Sequence, residues 1–185
     1  EVGSPSDLDV EYVTVEVWVR SDLSGSAYSD NGFVLCREMT NPGTPALFAW
    51  TDVNKMVFQV KLDGSESEAR IVEADESLDT SWHHYVGTYD GNELLWYVDG
   101  ELQTDTLSVS GSIDTDDPGV LRVGNHPSDV GFFDGLIDEI RISNFARNSS
   151  WIKTSFNNQN APSVFYSVSS EHCSSNVPMV SNEVP

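Results

Sequence analysis

The sequence predicts an all-β protein, a two-sheet antiparallel jelly-roll sandwich with one short C-terminal helix. About ten short segments rich in β-branched and aromatic residues are separated by turns of Gly, Asp, Asn and Pro, which is the pattern of sandwiches and jelly rolls. Two Asp-Gly steps, Asp90-Gly91 and Asp99-Gly100, each lie between such segments. Asp-Gly between strands is the strongest short-range hairpin signal.

The stretch over residues 82–102 therefore predicts three strands joined by two tight turns. It is apolar on both faces, with Trp82 and His84 on one face and Tyr85 and Tyr89 on the other. A strand exposed to water on one face shows clean alternation of polar and apolar residues. We therefore expect this hairpin in the middle of a sheet, with His84 as a hydrogen-bonded core histidine.

The other elements follow in chain order. Residues 12–20 alternate strictly, with four valines on one face and Trp18 among polar residues on the other, as in a half-buried strand. A helix is predicted over residues 148–158, because its apolar residues recur at helical spacing and Ser149 or Ser150 can cap it. Further strands are predicted over residues 33–38, 46–51, 55–62, 68–74, 103–109, 120–124 and 132–143.

Length and composition fit one domain. We expect this domain over residues 1–160, followed by an extended tail over residues 161–185 that is an added strand or a linker. The tail carries one alternating run over residues 164–168. Thirty acidic against nine basic residues give a net charge of −21, which argues against a nucleic-acid partner. No apolar run approaches the length of a membrane span.

Cys36 and Cys173 are the only two cysteines. A disulfide between them would close a loop over most of the chain and add roughly 4–5 kcal/mol of stability. The alternative is a buried thiol and an exposed thiol in the tail. Asn148 begins a sequon for N-glycosylation, which applies only to a secreted protein.

The last predicted strand contains candidates for catalytic carboxylates. Glycosidases of this architecture place carboxylates at alternate positions of one strand, which gives a nucleophile and an acid on one face. Asp138 and Glu139 are consecutive, so strict alternation places them on opposite faces. The sequence therefore predicts that the protein is not an enzyme.

Strict alternation also places Asp138 on the face with Leu136, Ile140 and Ile142, which should turn toward the core. A bare carboxylate there is costly and needs a cation or several donors. Calcium is such a cation, and the expected ligands are Asp138, Asp134, Asp30 and Asn31. The alternative is that Asp138 is half exposed and accepts backbone N–H bonds.

Three aromatic residues are candidates for ligand binding. Trp18 lies on a polar face, where an outward aromatic ring can stack on a sugar, unless a loop or the helix covers it. Phe132 and Phe133 follow Gly131 in a predicted loop and are candidates for the rim of a site.

Three stretches resemble the laminin G-like, concanavalin A-like jelly-roll family of lectins and glucanases, in its bacterial and archaeal surface-protein form. They are YVTVEVWVR at 12–20, SWHHYVGTYDGNELLWYVDG at 81–100 and FDGLIDEIRISNFARNSSWIKTSFNNQ at 133–159. Family domains usually carry a complete strand before the segment that begins near Glu1, and this chain keeps at most Glu1-Val2 of it.

The resemblance implies a non-catalytic module outside the cell or on its surface, stabilised by calcium, that binds carbohydrate or mediates adhesion. Its expected partners are glycans or a cell-surface polysaccharide. The alternative is a structural subunit of an extracellular assembly, which polymerises through strand exchange of its termini because an incomplete sheet edge invites another strand.

Overall fold

The computed structural model describes residues 9–22, 32–37, 47–52, 55–63, 69–114, 119–126 and 131–165. These residues form two antiparallel five-stranded sheets, with strand orders β10-β1-β6-β7-β8 and β5-β4-β3-β2-β9. The strands are β1 (Val13–Ser21), β2 (Phe33–Arg37), β3 (Leu47–Asp52), β4 (Lys55–Lys61), β5 (Ala69–Glu73), β6 (Trp82–Tyr89), β7 (Glu93–Val98), β8 (Glu101–Ser108), β9 (Leu121–Val123) and β10 (Gly135–Ser143); the helices are α1 (Ser149–Asn160) and α2 (Pro162–Phe165). The predicted jelly-roll sandwich is confirmed.

The core lies between the two sheets. All four valines of β1 are buried there, as their alternation predicts. Across the sandwich, the ring of Phe58 stacks on Trp96 with centroids 5.5 Å apart. Gly87 makes this stack possible, since a Cβ atom at this position would lie 2.3 Å from Cγ of Phe58.

Helix α1 covers the outer face of the first sheet. Ile152 is buried against Val86 and Tyr97 of the central hairpin, which explains why that hairpin is apolar on both faces. The N-cap is Asn148, whose Oδ1 accepts a hydrogen bond from the backbone N–H of Trp151 at 2.9 Å. Capping by Ser149 or Ser150 is therefore wrong, because the helix begins at Ser149 and both serines lie within its first turn.

The chain beyond α1 differs from the prediction in its first residues. Residues 162–165 form the short helix α2, so the tail is not extended from Pro162 onward. The rest of the predicted alternating run and Cys173 lie outside the described residues, and the predicted boundary between domain and tail stays a prediction. None of the helices in the described ranges is both long and apolar enough to cross a membrane.

Strand β10 contains a β-bulge that the sequence pattern did not predict. Glu16 pairs with Arg141, but Trp18 pairs with Asp138, so one residue of β1 lies opposite two residues of β10. The extra residue is Glu139, whose backbone φ is 51°. An extra residue shifts all following side chains to the opposite face.

The bulge decides which side chains of β10 face the core. Ile137 before it and Ile140 after it both pack against the core, although they lie three residues apart. Asp138 is exposed on the outer face. The expectation that Asp138 turns toward the core is therefore wrong, because strict alternation ends at Glu139.

Candidate functional site

A groove of about 520 Å³ lies on the outer face of the first sheet, beside the C-terminal end of α1. Strands β1, β6 and β10 form its floor and one side, and α1 forms the other side. Its lining contains two indole rings, three charged side chains and three side-chain amides, from Trp18, Trp82, Asp138, Glu139, Arg141, Asn158, Gln159 and Asn160, together with Pro162. Aromatic rings with a few fixed polar groups are typical of small-ligand sites.

The two tryptophans differ in their exposure to solvent. Trp18 is half-buried because its ring stacks on Phe156 of α1, with centroids 5.9 Å apart, and its indole N–H donates to Oε1 of Gln159 at 2.8 Å. Trp82 lies diagonally across from Trp18, since Trp18 pairs with His84 on the same face. The side chain of Trp82 is 40% exposed and is therefore the aromatic surface that a ligand can cover.

A buried carboxylate holds the floor of the groove together. Glu16 is 1% exposed, on the face of β1 that α1 covers. Its Oε1 accepts hydrogen bonds from His84 Nε2 at 2.9 Å, Arg141 Nη1 at 2.9 Å, Ser155 Oγ at 2.6 Å and Gln159 Nε2 at 3.0 Å. These four side chains come from β6, β10 and α1, so one carboxylate links three of the elements that line the groove.

The environment of Glu16 keeps it ionised. Burial alone would raise the pKa of this carboxyl, but hydrogen bonds from His84, Ser155 and Gln159 outweigh the effect of burial and lower its pKa to about 2. Donors that converge on the charged form of a carboxylate have this effect. His84 is confirmed as a buried, hydrogen-bonded histidine, although it lies in the layer between sheet and helix and not in the main core.

The bulge brings two carboxylates to the groove. Asp138 and Glu139 both line it. The expectation that they lie on opposite faces is therefore wrong, because the bulge at Glu139 interrupts strict alternation. Glu139 forms an ion pair with Arg141. Asp138 accepts a hydrogen bond from the backbone N–H of Glu139 at 2.8 Å. The two residues are consecutive, whereas the glycosidases of this architecture place their carboxylates at alternate positions of one strand.

A second cavity of about 290 Å³ lies beside the groove, along α1. The two cavities share Arg141, Asn158 and Gln159, so they are adjacent. The ring of Trp151 lines the second cavity and is held by the guanidinium of Arg147, 4.2 Å from its centroid. Aromatic side chains therefore line both of these adjacent cavities.

The three aromatic candidates from the sequence have different positions. Trp18 lies in the groove, where the helix partly covers it. Phe132 is 67% exposed but does not line the groove. Phe133 is partly buried and packs against the core, and its expected place on the rim of a site stays a prediction. Trp82 was missed, although its position two residues before His84 on the outer face of the hairpin was a usable signal.

Two of the four expected calcium ligands lie within the residues that the structure describes. Asp138 is exposed on the outer face, and Asp134 lies in a loop, where its backbone carbonyl accepts the N–H of Asp22. No group of three His, Cys, Asp or Glu residues within the described ranges could hold a metal ion. Asp30 and Asn31 lie outside these ranges, and the calcium stays a prediction.

The two covalent features predicted from the sequence also stay predictions. Cys36 is buried in β2, and its expected disulfide partner Cys173 lies outside the described residues. Asn148 is exposed and uses its Oδ1 atom for the helix cap.

The fold and the sequence together define a class of protein. The family model of the concanavalin A-like lectin/glucanases superfamily matches residues 2–153, and the chain belongs to this family. Comparison with curated proteins gives no match.

Solved structures with a similar fold include binding domains of several proteins. The binding domain of botulinum neurotoxin DC in complex with SialylT has a TM-score of 0.60 at 15% identity, over 82% of this chain and 37% of that chain. Domain 4 of AbnA, an extracellular arabinanase from Geobacillus stearothermophilus, in complex with arabinotriose, has a TM-score of 0.60 at 15% identity, over 79% of this chain and 66% of that chain. A heptameric pentraxin from Limulus polyphemus has a TM-score of 0.58 at 13% identity, over 80% and 70% of the two chains.

At these identities the likeness extends to the fold alone. The chain covers little more than a third of the length of the neurotoxin binding domains that it matches.

Proposed function

We propose that this chain is a non-catalytic module that binds carbohydrate outside the cell or on its surface, through the groove beside α1. The observation that carries the proposal is the exposed ring of Trp82, which adjoins the half-buried Trp18 and the amides of Asn158 and Asn160 in one depression. A sugar ring has an apolar face that stacks on an aromatic side chain. Its hydroxyl groups find donors and acceptors in amides and carboxylates.

The comparisons support the same class of ligand without naming it. The arabinanase domain was solved with arabinotriose, and the neurotoxin domain with SialylT. Adhesion, the other expected role, would use the same groove where the bound polysaccharide belongs to a cell surface.

A binding role fits the carboxylates of the groove better than hydrolysis does. Asp138 and Glu139 lie on the same side of the groove, and Glu139 is paired with Arg141. Hydrolysis needs two carboxyl groups that are free to act at the glycosidic bond, one as the acid and one as the nucleophile or base, and among the described lining residues the ion pair of Glu139 leaves Asp138 as the single carboxylate outside an ion pair with Arg141. The lining residues on the α1 side are amides and Pro162.

The test is a matched pair of single substitutions. Glycans that bind the wild type on a glycan array are measured by calorimetry with Trp82→Ala and with Phe132→Ala, which removes an exposed aromatic ring outside the groove. We expect Trp82→Ala to weaken binding about tenfold or more, equivalent to about 1.4 kcal/mol, and Phe132→Ala to leave it unchanged. Absence of binding to any glycan, or equal effects of both substitutions, would contradict the proposal.

The alternative role, assembly through strand exchange of the termini, stays a prediction, because residues 1–8 and 166–185 lie outside the described structure. Its test is the size of the protein in solution over a range of concentrations, with and without the residues after Asn160. A monomer at all concentrations in both forms would contradict it.

A further inference from the structure

The groove contains more negatively than positively charged groups. Within the described lining residues, Asp138 and Glu139 carry negative charge and Arg141 carries the single positive charge. Glu16 adds a third negative charge directly beneath Arg141. The groove therefore has an excess of negative charge, in a chain whose net charge is −21.

The one cation of the lining is already engaged on two sides. Nη1 of Arg141 donates to Glu16 Oε1 at 2.9 Å, and Nη2 donates to Glu139. The bond to Glu16 is fixed, because that carboxylate is buried and accepts three further hydrogen bonds. An acidic sugar that approached Arg141 would have to displace Glu139, whose charge would remain beside the ligand.

Neighbouring basic residues do not correct this imbalance. Arg20, next to Trp82 across the sheet, forms an ion pair with Asp22 at 3.1 Å. Lys153 on α1 forms an ion pair with Glu101. The guanidinium of Arg147 stacks on Phe145 and Trp151, outside the lining of either cavity. A ligand carboxylate or sulfate in the groove would therefore meet more repulsion than attraction.

We infer that the groove selects neutral glycans and rejects those that carry a carboxylate or a sulfate on the sugars that enter it. This inference rests on the carbohydrate-binding function proposed above and names the ligand class of the same site. Asp138 and Glu139 are its specificity-determining residues, since they supply two negative charges at the surface of the groove against the single positive charge of Arg141.

The experiment compares neutral glycans with their acidic derivatives. The probes are neutral oligosaccharides on an array together with the same backbones carrying sialic acid, uronic acid or sulfate, followed by dissociation constants for the best-bound pair at low salt. We expect the bound glycans to be neutral and the acidic derivative to bind at least about tenfold more weakly, as unit charges a few ångströms apart in a partly exposed site require. The ratio should shrink as sodium chloride screens the repulsion.

A double substitution assigns the selectivity to the two carboxylates. Asp138→Asn with Glu139→Gln keeps the size of both side chains and the acceptor for the backbone N–H of Glu139. We expect it to lower the ratio of acidic to neutral dissociation constants about tenfold and to remove its salt dependence. The control, Glu73→Gln with Glu93→Gln, removes the same charge from exposed positions on β5 and β7 and should leave the ratio unchanged.

The outcomes separate this inference from the proposed function. Strongest binding to acidic glycans, or equal binding of both members of a pair, would overturn the selectivity and leave carbohydrate binding in place. A double variant with the wild-type ratio would overturn the assignment to Asp138 and Glu139. Absence of binding to any glycan on the array would overturn both the proposed function and the inference.

Discussion

The carboxylate of Glu16 is 1% exposed between β1 and α1, where an ionised group without partners would cost several kcal/mol. It has four side-chain donors, and two of them, Arg141 and Gln159, also line the groove. The same residue therefore attaches the helix to the sheet and fixes the polar groups that a ligand meets. Its charge should be visible in the pH dependence of stability.

The first prediction concerns Glu16→Gln. The fall of the pKa of Glu16 from 4.5 to about 2 on folding corresponds to about 3 kcal/mol of stability. Because the folded pKa is the lower one, this stability is present above pH 4.5 and is lost as the pH falls toward 2. In urea unfolding, the variant should be about 3 kcal/mol less stable than the wild type at pH 7 and less than half of that at pH 3. A gap that stays constant between these pH values would contradict the prediction.

Gly87 gives a second prediction at the same scale. A methyl group there would overlap the buried ring of Phe58, which stacks on Trp96, and overpacking of a core costs about 1–3 kcal/mol. We expect Gly87→Ala to lower the free energy of unfolding by about that amount. In a Phe58→Leu background the same substitution should cost less, since neighbouring sites couple. Equal costs in both backgrounds would show that the clash is not the cause.

At the scale of elements, the connection from β5 to β6 joins the two sheets and is held by side chains from the central hairpin. His83 Nδ1 lies 2.8 Å from Asp99 Oδ2, and its Nε2 lies 3.1 Å from Asp79 Oδ1 in the connection. Asp75 accepts hydrogen bonds from Thr104 of β8. Charge on His83 therefore strengthens the attachment of the connection to the sheet.

The third prediction is the titration of His83. The hydrogen bond with Asp99 raises the pKa of His83 above 6.5 more than burial lowers it, and Asp79 adds to the rise. The stability that protonated His83 contributes through Asp99 and Asp79 is present below pH 6.5 and is lost as the pH rises through the raised pKa of His83. In NMR titrations, Asp99→Asn should lower the pKa of His83 strongly and Asp79→Asn should lower it less. The reverse order would contradict the prediction.

The bulge at Glu139 is the element-scale feature on which both the core and the groove depend. Because Glu139 is the extra residue, its deletion should restore regular alternation and keep Ile137 and Ile140 in the core. Deletion of Ile140 instead turns Glu139 toward the core, where a carboxylate is costly.

The fourth prediction compares these two deletions. The Glu139 deletion should fold with a free energy of unfolding within about 1 kcal/mol of wild type, since a residue at positive φ is removed. The Ile140 deletion should lose about 3 kcal/mol or more, through a lost core side chain and a buried charge. Both are measured by urea unfolding. Similar losses in the two variants would show that the extra residue is not Glu139.

This bulge also marks how far the sequence could predict the molecule. Asp90-Gly91 and Asp99-Gly100 predict the central hairpin because their turns are local, and both turns are found where expected. A bulge is different, since it depends on the register between β1 and β10, which are over a hundred residues apart. The fold could thus be predicted, whereas the groove, which needs that register and the position of α1, could not.

At the scale of the whole molecule, charge is the dominant property. The chain has thirty acidic and nine basic residues, so most carboxylates cannot be in ion pairs. Their mutual repulsion destabilises the compact state and keeps the protein in solution. The ion pairs near the groove are weakened by salt, but they are few compared with the unpaired carboxylates.

The fifth prediction is that salt stabilises the protein. Raising sodium chloride from about 0.02 to 0.3 M shortens the Debye length several-fold, so the unfolding temperature should rise. Calcium, which the sequence predicts, should raise the unfolding temperature further than magnesium does at equal ionic strength, because calcium accepts irregular sets of oxygen ligands more readily. Asp138→Ala should remove the difference between the two ions. An unfolding temperature that falls with sodium chloride would contradict the repulsion argument. Equal temperatures in calcium and magnesium would end the calcium prediction and leave the salt effect intact.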